Sequence, residues 1–362
     1  MVAPLMRSQI IDRCRGILVA MTILLLADDR FVEHRPPSGH PERPERLAAA
    51  IDGINAAGFA DALTWRQPSE APTEALLGVH ANELVTVLDE HAGLDRVRID
   101  GDTYMSAGSM QAARLAAGAG LDAVAALKAG EADSAFCLVR PPGHHATPRN
   151  SMGFCLFNNI AVTAQSLTDQ GERVAIIDFD AHHGNGTQDA FFDREDVLFI
   201  SLHEYPQYPG SGALGEVGRA EGAGRTINFP MPSGATGDVY LRAFDQVIEP
   251  ALDAFGADWV LISAGFDAHR DDPLTNLGLT SGDYAAMTAR IASYAPPGRR
   301  IAFLEGGYDL DALGRSTAAT VGALLGEDHS PEALHHPADE AQTNGGPGGN
   351  VVDAHLNQNP SL

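Results

Sequence analysis

Asp178, Asp180 and His182 alternate in the run Asp178-Phe-Asp180-Ala-His182-His183-Gly-Asn185-Gly. In extended backbone, residues two apart point to one side, so two carboxylates and an imidazole share a face. Such a face would repel itself and desolvate badly unless a cation sits within it. Three ligands of mixed oxygen and nitrogen type, with a fourth position left to water, describe a catalytic zinc site. Asp180 and His182 supply two of them. The third must come from elsewhere, and Asp267, in Ala264-Gly-Phe-Asp267, is the obvious carboxylate.

Hydrolysis at such a site also needs a base for the attacking water and an acid for the leaving group. His144 and His145 follow Arg140-Pro-Pro-Gly143 on a constrained turn. Tyr308 follows Glu305-Gly306-Gly307, where glycines let the backbone come close to a site. A phenol there can donate to an oxyanion. Taken singly, each has a plainer reading: a hydrogen-bonded Asp-x-His turn, two surface histidines, a half-buried tyrosine. Their joint placement carries the argument.

That placement depends on the elements around them. Short apolar runs at Ile23–Ala27, Ala135–Val139, Val174–Phe179, Val197–Leu202, Arg225–Phe229, Trp259–Ser263 and Ile301–Leu304 read as strands. Several are apolar on both faces, as in a parallel sheet covered on both sides. Helical patterns lie between them at Pro44–Ala57, Ser109–Ala129, Asn158–Gln170 and Gly237–Phe255. The alternation predicts an α/β fold with a central parallel sheet. Ligands in open α/β sheets sit beyond the carboxyl ends of the strands. Five predicted strand ends carry useful groups there: His144 and His145, Asp178 to Asn185, Ser201-Leu-His203, Asp267, and Tyr308.

Bulk properties narrow the field. The chain has 362 residues and a net charge of −24. That charge argues against nucleic acid as a direct partner, since phosphate binding needs clustered Lys and Arg. It suits solubility and the steering of cationic substrates. Cys14, Cys137 and Cys155 form no CxxC pair, which fits a reducing cytoplasm. Arg7, Arg13 and Arg15 precede the apolar run Ile17–Ala27, the outline of a signal peptide. No A-x-A-like cleavage site follows it, and Asp28-Asp29 comes at once. The expectation is therefore a cytoplasmic protein with an extension at residues 1–20, one domain over 21–325, and a disordered acidic tail at 326–362. No stretch reaches the ~18–20 apolar residues of a membrane span. A homo-oligomer is compatible with all of this.

The ordered motifs match a known family. They are Gly39-His-Pro-Glu-Arg-Pro-Glu-Arg46, Arg140-Pro-Pro-Gly-His-His-Ala146, Gly153-Phe-Cys-Leu-Phe-Asn-Asn159, Asp178-Phe-Asp-Ala-His-His-Gly-Asn-Gly-Thr-Gln188, Ser201-Leu-His203, Tyr208-Pro-Gly-Ser-Gly212, Ser263-Ala-Gly-Phe-Asp-Ala268 and Leu304-Glu-Gly-Gly-Tyr308. In these the chain resembles the histone deacetylase superfamily, in particular its class II-type branch with the bacterial deacetylase-like amidohydrolases and acetylpolyamine amidohydrolase relatives. The resemblance implies a single three-layer α/β/α domain around a mostly parallel sheet, the arginase-deacetylase fold. It implies one Zn²⁺ at Asp180, His182 and Asp267. It makes His145 the main general base and His144 its electrostatic partner or the proton donor, with Asp178 orienting His144. Asn185 stands where some members carry an Asp, which leaves His145 less basic. Tyr308 would bind the acetyl oxygen. Phe154 and Tyr208 would wall a narrow channel with Gly307 beside it, the Gly153 carbonyl would accept the substrate amide, and Leu274 would sit on the rim. K⁺ is implied near Asp178, Asp180, His182, Ser201 and Leu202.

The function so implied is metal-dependent removal of acetyl groups from acetylated amines, either acetyl-lysine in proteins or acetylpolyamines. Leu274 is apolar where a polyamine-selective branch has an acid, which leans away from strict polyamine selectivity. Asp271-Asp272-Pro273 departs from the commoner Gly-Asp-Pro and is expected to alter the rim. Two other readings compete. A two-metal ureohydrolase on the same fold needs a bridging carboxylate at the position of Gly184. A silent acetyl-binding protein has no use for Tyr308, His144 and His145 together.

Overall fold

The computed structural model describes residues 21–335 and 349–358; the expected extension at 1–20 lies outside the described residues. The strands, in chain order, are β1 (Ile23–Leu26), β2 (Leu63–Arg66), β3 (Val97–Arg98), β4 (Tyr104–Met105), β5 (Ser134–Cys137), β6 (Val174–Asp178), β7 (Val197–Glu204), β8 (Thr226–Met231), β9 (Trp259–Ala264) and β10 (Arg300–Leu304). Eight of them form one sheet in the order β2-β1-β5-β10-β9-β6-β7-β8, and β3 with β4 makes a small antiparallel pair. Every neighbouring pair in the large sheet is parallel.

β6 and β9 are buried along their whole length, because helices cover both faces of the sheet. Helix Ser109–Lys128 packs with helix Asn159–Thr168, and helix Leu310–Leu325 packs with helices Glu45–Ala56 and Ser281–Ala292. Side-chain caps fix where several of these begin. Asn158 and Asp309 accept the N–H three residues on, and Thr280 with Asp283 forms a capping box. This three-layer α/β architecture is the one the sequence predicts.

The differences have local causes. β2 is a half-exposed edge strand with the mixed sequence Leu-Thr-Trp-Arg, so no apolar run announces it. The expected helix Gly237–Phe255 is interrupted by a π-helical turn at Phe244–Ile248 ahead of Pro250, whose ring and missing N–H disfavour a regular turn. Within the stretch read as a disordered tail, Gly349–Gln358 forms a helix. Its Val352 and His355 are buried, with the His355 ring 4.4 Å from Phe229 on edge strand β8. Two apolar or aromatic contacts three residues apart are too few to show as periodicity. No described helix is long and apolar enough to cross a membrane.

The parallel direction puts all the carboxyl ends at one edge of the sheet. The five strands whose ends carry the candidate residues, β5, β10, β9, β6 and β7, are also five consecutive neighbours in space.

Candidate active site

Register sets Asp178, the last residue of β6, beside Ser201 of β7 and Ser263 of β9. Beyond it the chain turns on its own carboxylates. Asp178 Oδ1 accepts the Asp180 N–H (3.1 Å), and Asp180 Oδ1 accepts the His182 N–H (2.9 Å). Asp267 arrives from β9. Its Oδ1 accepts the Ala181 N–H (2.7 Å), which leaves Oδ2 2.8 Å from His182 Nδ1. Asp180 Oδ1 lies 3.2 Å from the same nitrogen, and Asp180 Oδ2 accepts the Gly306 N–H at 2.7 Å. One donor atom from each of Asp180, His182 and Asp267 lies within 4.8 Å of the other two. A Cβ on Gly306 would stand 2.4 Å from Asp267 Oδ2 and 2.6 Å from Asp180 Oδ2. Only glycine lets the backbone come this close to both carboxylates.

Burial, and then the Asp180 charge, push the Asp267 carboxyl above its ordinary value. Burial opposes a charge on His182, yet the Asp267 and Asp180 carboxylates hold its pKa well above the usual range. The cluster therefore favours positive charge at one spot. Two carboxylates and one imidazole fit a zinc ion there, and Fe²⁺ or Co²⁺ share that donor preference.

Beside the cluster, the rings of His144 and His145 lie 4.0 Å apart. His144 Nδ1 is 3.0 Å from Asp178 Oδ2, and His145 Nδ1 is 2.8 Å from Asn185 Oδ1. Burial disfavours a charged His144, but the Asp180, Asp178 and Glu305 carboxylates outweigh it and raise the pKa to about 10. His145 goes the other way: burial, then the neighbouring His144 and His182, hold it well below the ordinary histidine range. The two imidazoles thus differ in protonation, one prone to give a proton and one ready to take it.

Aromatic rings stand beside the histidines and Tyr308. Tyr208 stands edge-on to His145 with centroids 5.1 Å apart, and Phe154 edge-on to Tyr308 at 5.9 Å. Phe154 has φ +69° and Gly153 φ +56°. A side chain at Gly153 would strike the His145 ring, its Cβ 2.4 Å from Cδ2, so glycine is required and Phe154 takes a conformation that non-glycine residues seldom adopt. Burial lifts the Tyr308 phenol well above its usual pKa, so it keeps its proton. The Tyr308 N–H donates to Asp272 Oδ2 (2.7 Å).

Comparison with known proteins identifies the family. Residues 40–324 match the histone deacetylase domain. A probable deacetylase of Archaeoglobus fulgidus is 39% identical over 329 residues, covering 86% of this chain and 91% of the relative. The chloroplastic histone deacetylase 10 of Oryza sativa subsp. japonica is 41% identical, covering 83% and 72%. The crystal structure of the HDA15 HD domain superposes with a TM-score of 0.85 at 37% identity, covering 94% of this chain and 95% of that one. The chain belongs to the histone deacetylase family. It is a hydrolytic deacetylase.

Several features of this deacetylase were not assigned from the sequence. Glu42, Arg46 and Arg140 are fully buried. Arg140 donates to both Glu42 oxygens and to the Phe31 and His34 carbonyls. Arg46 donates to the Gly307 and Glu305 carbonyls, and its guanidinium lies 5.0 Å over the Tyr308 ring. The motif Gly39–Arg46 carried the resemblance, but nothing in it told that its charges would be buried under the tyrosine. Of the aspartates before Pro273, Asp271 is half-exposed and pairs with Arg315, whereas the buried Asp272 holds Tyr308. Leu274 is exposed, its N–H donating to Asp272 Oδ1. Ser201 and Leu202 are buried in β7 beside Asp178.

Proposed function

We propose that this deacetylase hydrolyses the acetyl amide of acetylated amines, with zinc held by Asp180, His182 and Asp267. The observation that carries the proposal is the convergence of those three donors within 4.8 Å of one another, beside two histidines of opposite protonation bias and a buried phenol. Zinc bound there would polarise the acetyl oxygen and acidify the attacking water. His145, its Nδ1 tied to Asn185, takes a proton from that water through its other nitrogen. Water oxygen adds to the acetyl carbon, and the Tyr308 phenol donates to the oxygen that gains charge. His144, held by Asp178, supplies the proton with which the amine leaves, and acetate is the second product.

Phe154 and Tyr208 suit the methylenes of an acetyl-lysine stem or a polyamine. The Gly153 carbonyl and Gly307 would border the reacting amide, and Leu274 would meet whatever lies outside the channel. A potassium ion beside Asp178, Asp180, His182, Ser201 and Leu202 would hold the Asp178–His182 turn in shape. We place the protein in the cytoplasm, acting on acetylated proteins or small acetylated amines and not on nucleic acid. A ureohydrolase reading has little room: a Cβ on Gly184 would stand 2.2 Å from Asp178 Oδ2.

Acetate release from an acetyl-lysine peptide and from an acetylated polyamine tests this, with protein as purified, after chelation, and after zinc is restored. Turnover lost on chelation and regained with zinc is the expected result. Folded, zinc-loaded protein that releases no acetate from either substrate would overturn it.

A further inference from the structure

Glu305 follows β10 directly, just ahead of Gly306-Gly307-Tyr308, and is fully buried. Its Oε2 accepts the backbone N–H groups of Gly143 (2.7 Å) and His144 (3.1 Å), 162 and 161 residues away in the chain. Its Oε1 has no partner among the described residues. The turn that bears the two histidines is gripped at several other points. The Arg140 side chain is held by Glu42, the Pro141 carbonyl accepts from Asn159 Nδ2 (3.2 Å), and the His144 carbonyl accepts the N–H groups of Gly186 and Thr187 (3.0 and 3.2 Å). Glu305 is the grip on the N–H side, at the residue whose ring must meet Asp178.

The same four-residue segment reaches the rest of the site. The Gly306 N–H holds Asp180 Oδ2, the Gly307 carbonyl accepts from Arg46, and Tyr308 follows. One stretch of backbone therefore sets the distance between the histidine pair, a metal-ligating carboxylate and the phenol. A shift of about 1 Å in such a constellation can cost on the order of 10²-fold in rate.

We propose that Glu305 is a positioning residue of the deacetylation reaction, which holds the His144–His145 turn at a fixed distance from Tyr308 through an acceptor oxygen and not through its charge. This rests on the hydrolytic reading above. Burial raises the Glu305 pKa to about 7. A proton on the unpartnered Oε1 leaves Oε2 accepting, so either protonation state keeps the grip.

Two near-isosteric variants separate the position of the oxygen from its charge. Glu305→Gln keeps an oxygen at the reach of Oε2 and loses the charge. Glu305→Asp keeps the charge and withdraws the oxygen by about one C–C bond. Each is compared with wild type for kcat, KM, zinc content and amide hydrogen exchange in the 140–147 segment. We expect Glu305→Gln to stay within about 5-fold of wild-type kcat, and Glu305→Asp to lose about 20-fold or more with KM within about 3-fold. Zinc content should stay the same, and exchange in 140–147 should be faster only in Glu305→Asp. An aspartate variant as active as the glutamine variant, or unchanged exchange in Glu305→Asp, would overturn the proposal. Wild type without turnover counts against the functional reading, and the exchange measurement then decides the clamp by itself.

Discussion

His144 and His145 are chain neighbours with rings 4.0 Å apart, yet the first sets its Nδ1 against the Asp178 carboxylate and the second against the Asn185 amide. A carboxylate stabilises an imidazolium, whereas an amide oxygen, carrying no net charge, does so far less. The pair is thereby biased toward one charged and one neutral ring. Two adjacent charged imidazoles in a buried site would repel, so each ring's preference reinforces the other's.

Replacing Asn185 with Asp should disturb that division. A carboxylate against His145 Nδ1 raises its pKa, by roughly one unit or more. The base works in its deprotonated form, so the acid limb of kcat/KM moves to higher pH and activity at low pH falls. Rate profiles of wild type and Asn185→Asp between pH 5 and 9, about the span where histidine titrates, check this. A limb that stays in place or moves down contradicts it.

Tyr308→Phe removes a single oxygen from a wall otherwise made of rings. If the phenol serves the oxyanion, kcat drops by about 10²–10³, while zinc content and circular dichroism stay those of wild type. Steady-state kinetics on an acetyl-lysine peptide read the first, and metal analysis the second. A variant with kcat within a few-fold of wild type would remove Tyr308 from the chemistry.

Asp267→Asn keeps the shape of the ligand and weakens its hold on a cation. Bound zinc should fall well below one per chain, with turnover falling in proportion. A ligand that binds only the folded state raises the melting temperature. Chelation should therefore lower it in wild type and leave Asp267→Asn nearly unchanged. Equal chelator shifts in the two proteins would place the metal elsewhere.

Away from the site, Glu332 ties the segment after the last long helix back to the domain. Its Oε2 accepts from His269 Nε2 (2.8 Å) and the Ser281 N–H (3.1 Å), and its Oε1 from Arg270 (2.8 Å). Burial raises its pKa, but the bonds from His269 and Ser281 prevail and lower it to about 2. A carboxylate depressed in the folded state contributes stability that is complete above the ordinary glutamate pKa, about 4.3. That contribution is lost as the pH falls through the folded value. Glu332→Gln should thus be less stable at pH 7, by about 1–2 kcal/mol, with the gap closing as pH drops from about 4.5 toward 2. Melting temperatures of both proteins across that range measure it, and a gap independent of pH would refute it.

The sequence by itself singled out the residues that the fold gathers beside one another, and the kind of layer they stand on. Asp178-x-Asp-x-His182 implies a shared face from period-two geometry alone, and doubly apolar runs such as Val174–Ile177 imply a sheet covered on both sides. Both signals are local, written within a few residues. Edge strand β2 and the helix Gly349–Gln358 carried no such signal, since one is half-exposed and the other meets the fold through a few side chains.

Only the tertiary structure decided the order of the strands. β5, β10, β9, β6 and β7 are neighbours in space and not in sequence. Their order brings Asp267 against His182, and Glu305 against the amides of Gly143 and His144. Contacts between residues 85 and 162 apart follow from how the helices pack and which strands they insert between, a balance summed over the whole core. No spacing in the chain records it. The buried Glu42, Arg46 and Arg140 were hidden for the same reason: a charge reads as surface until the fold supplies the partners that let it be buried.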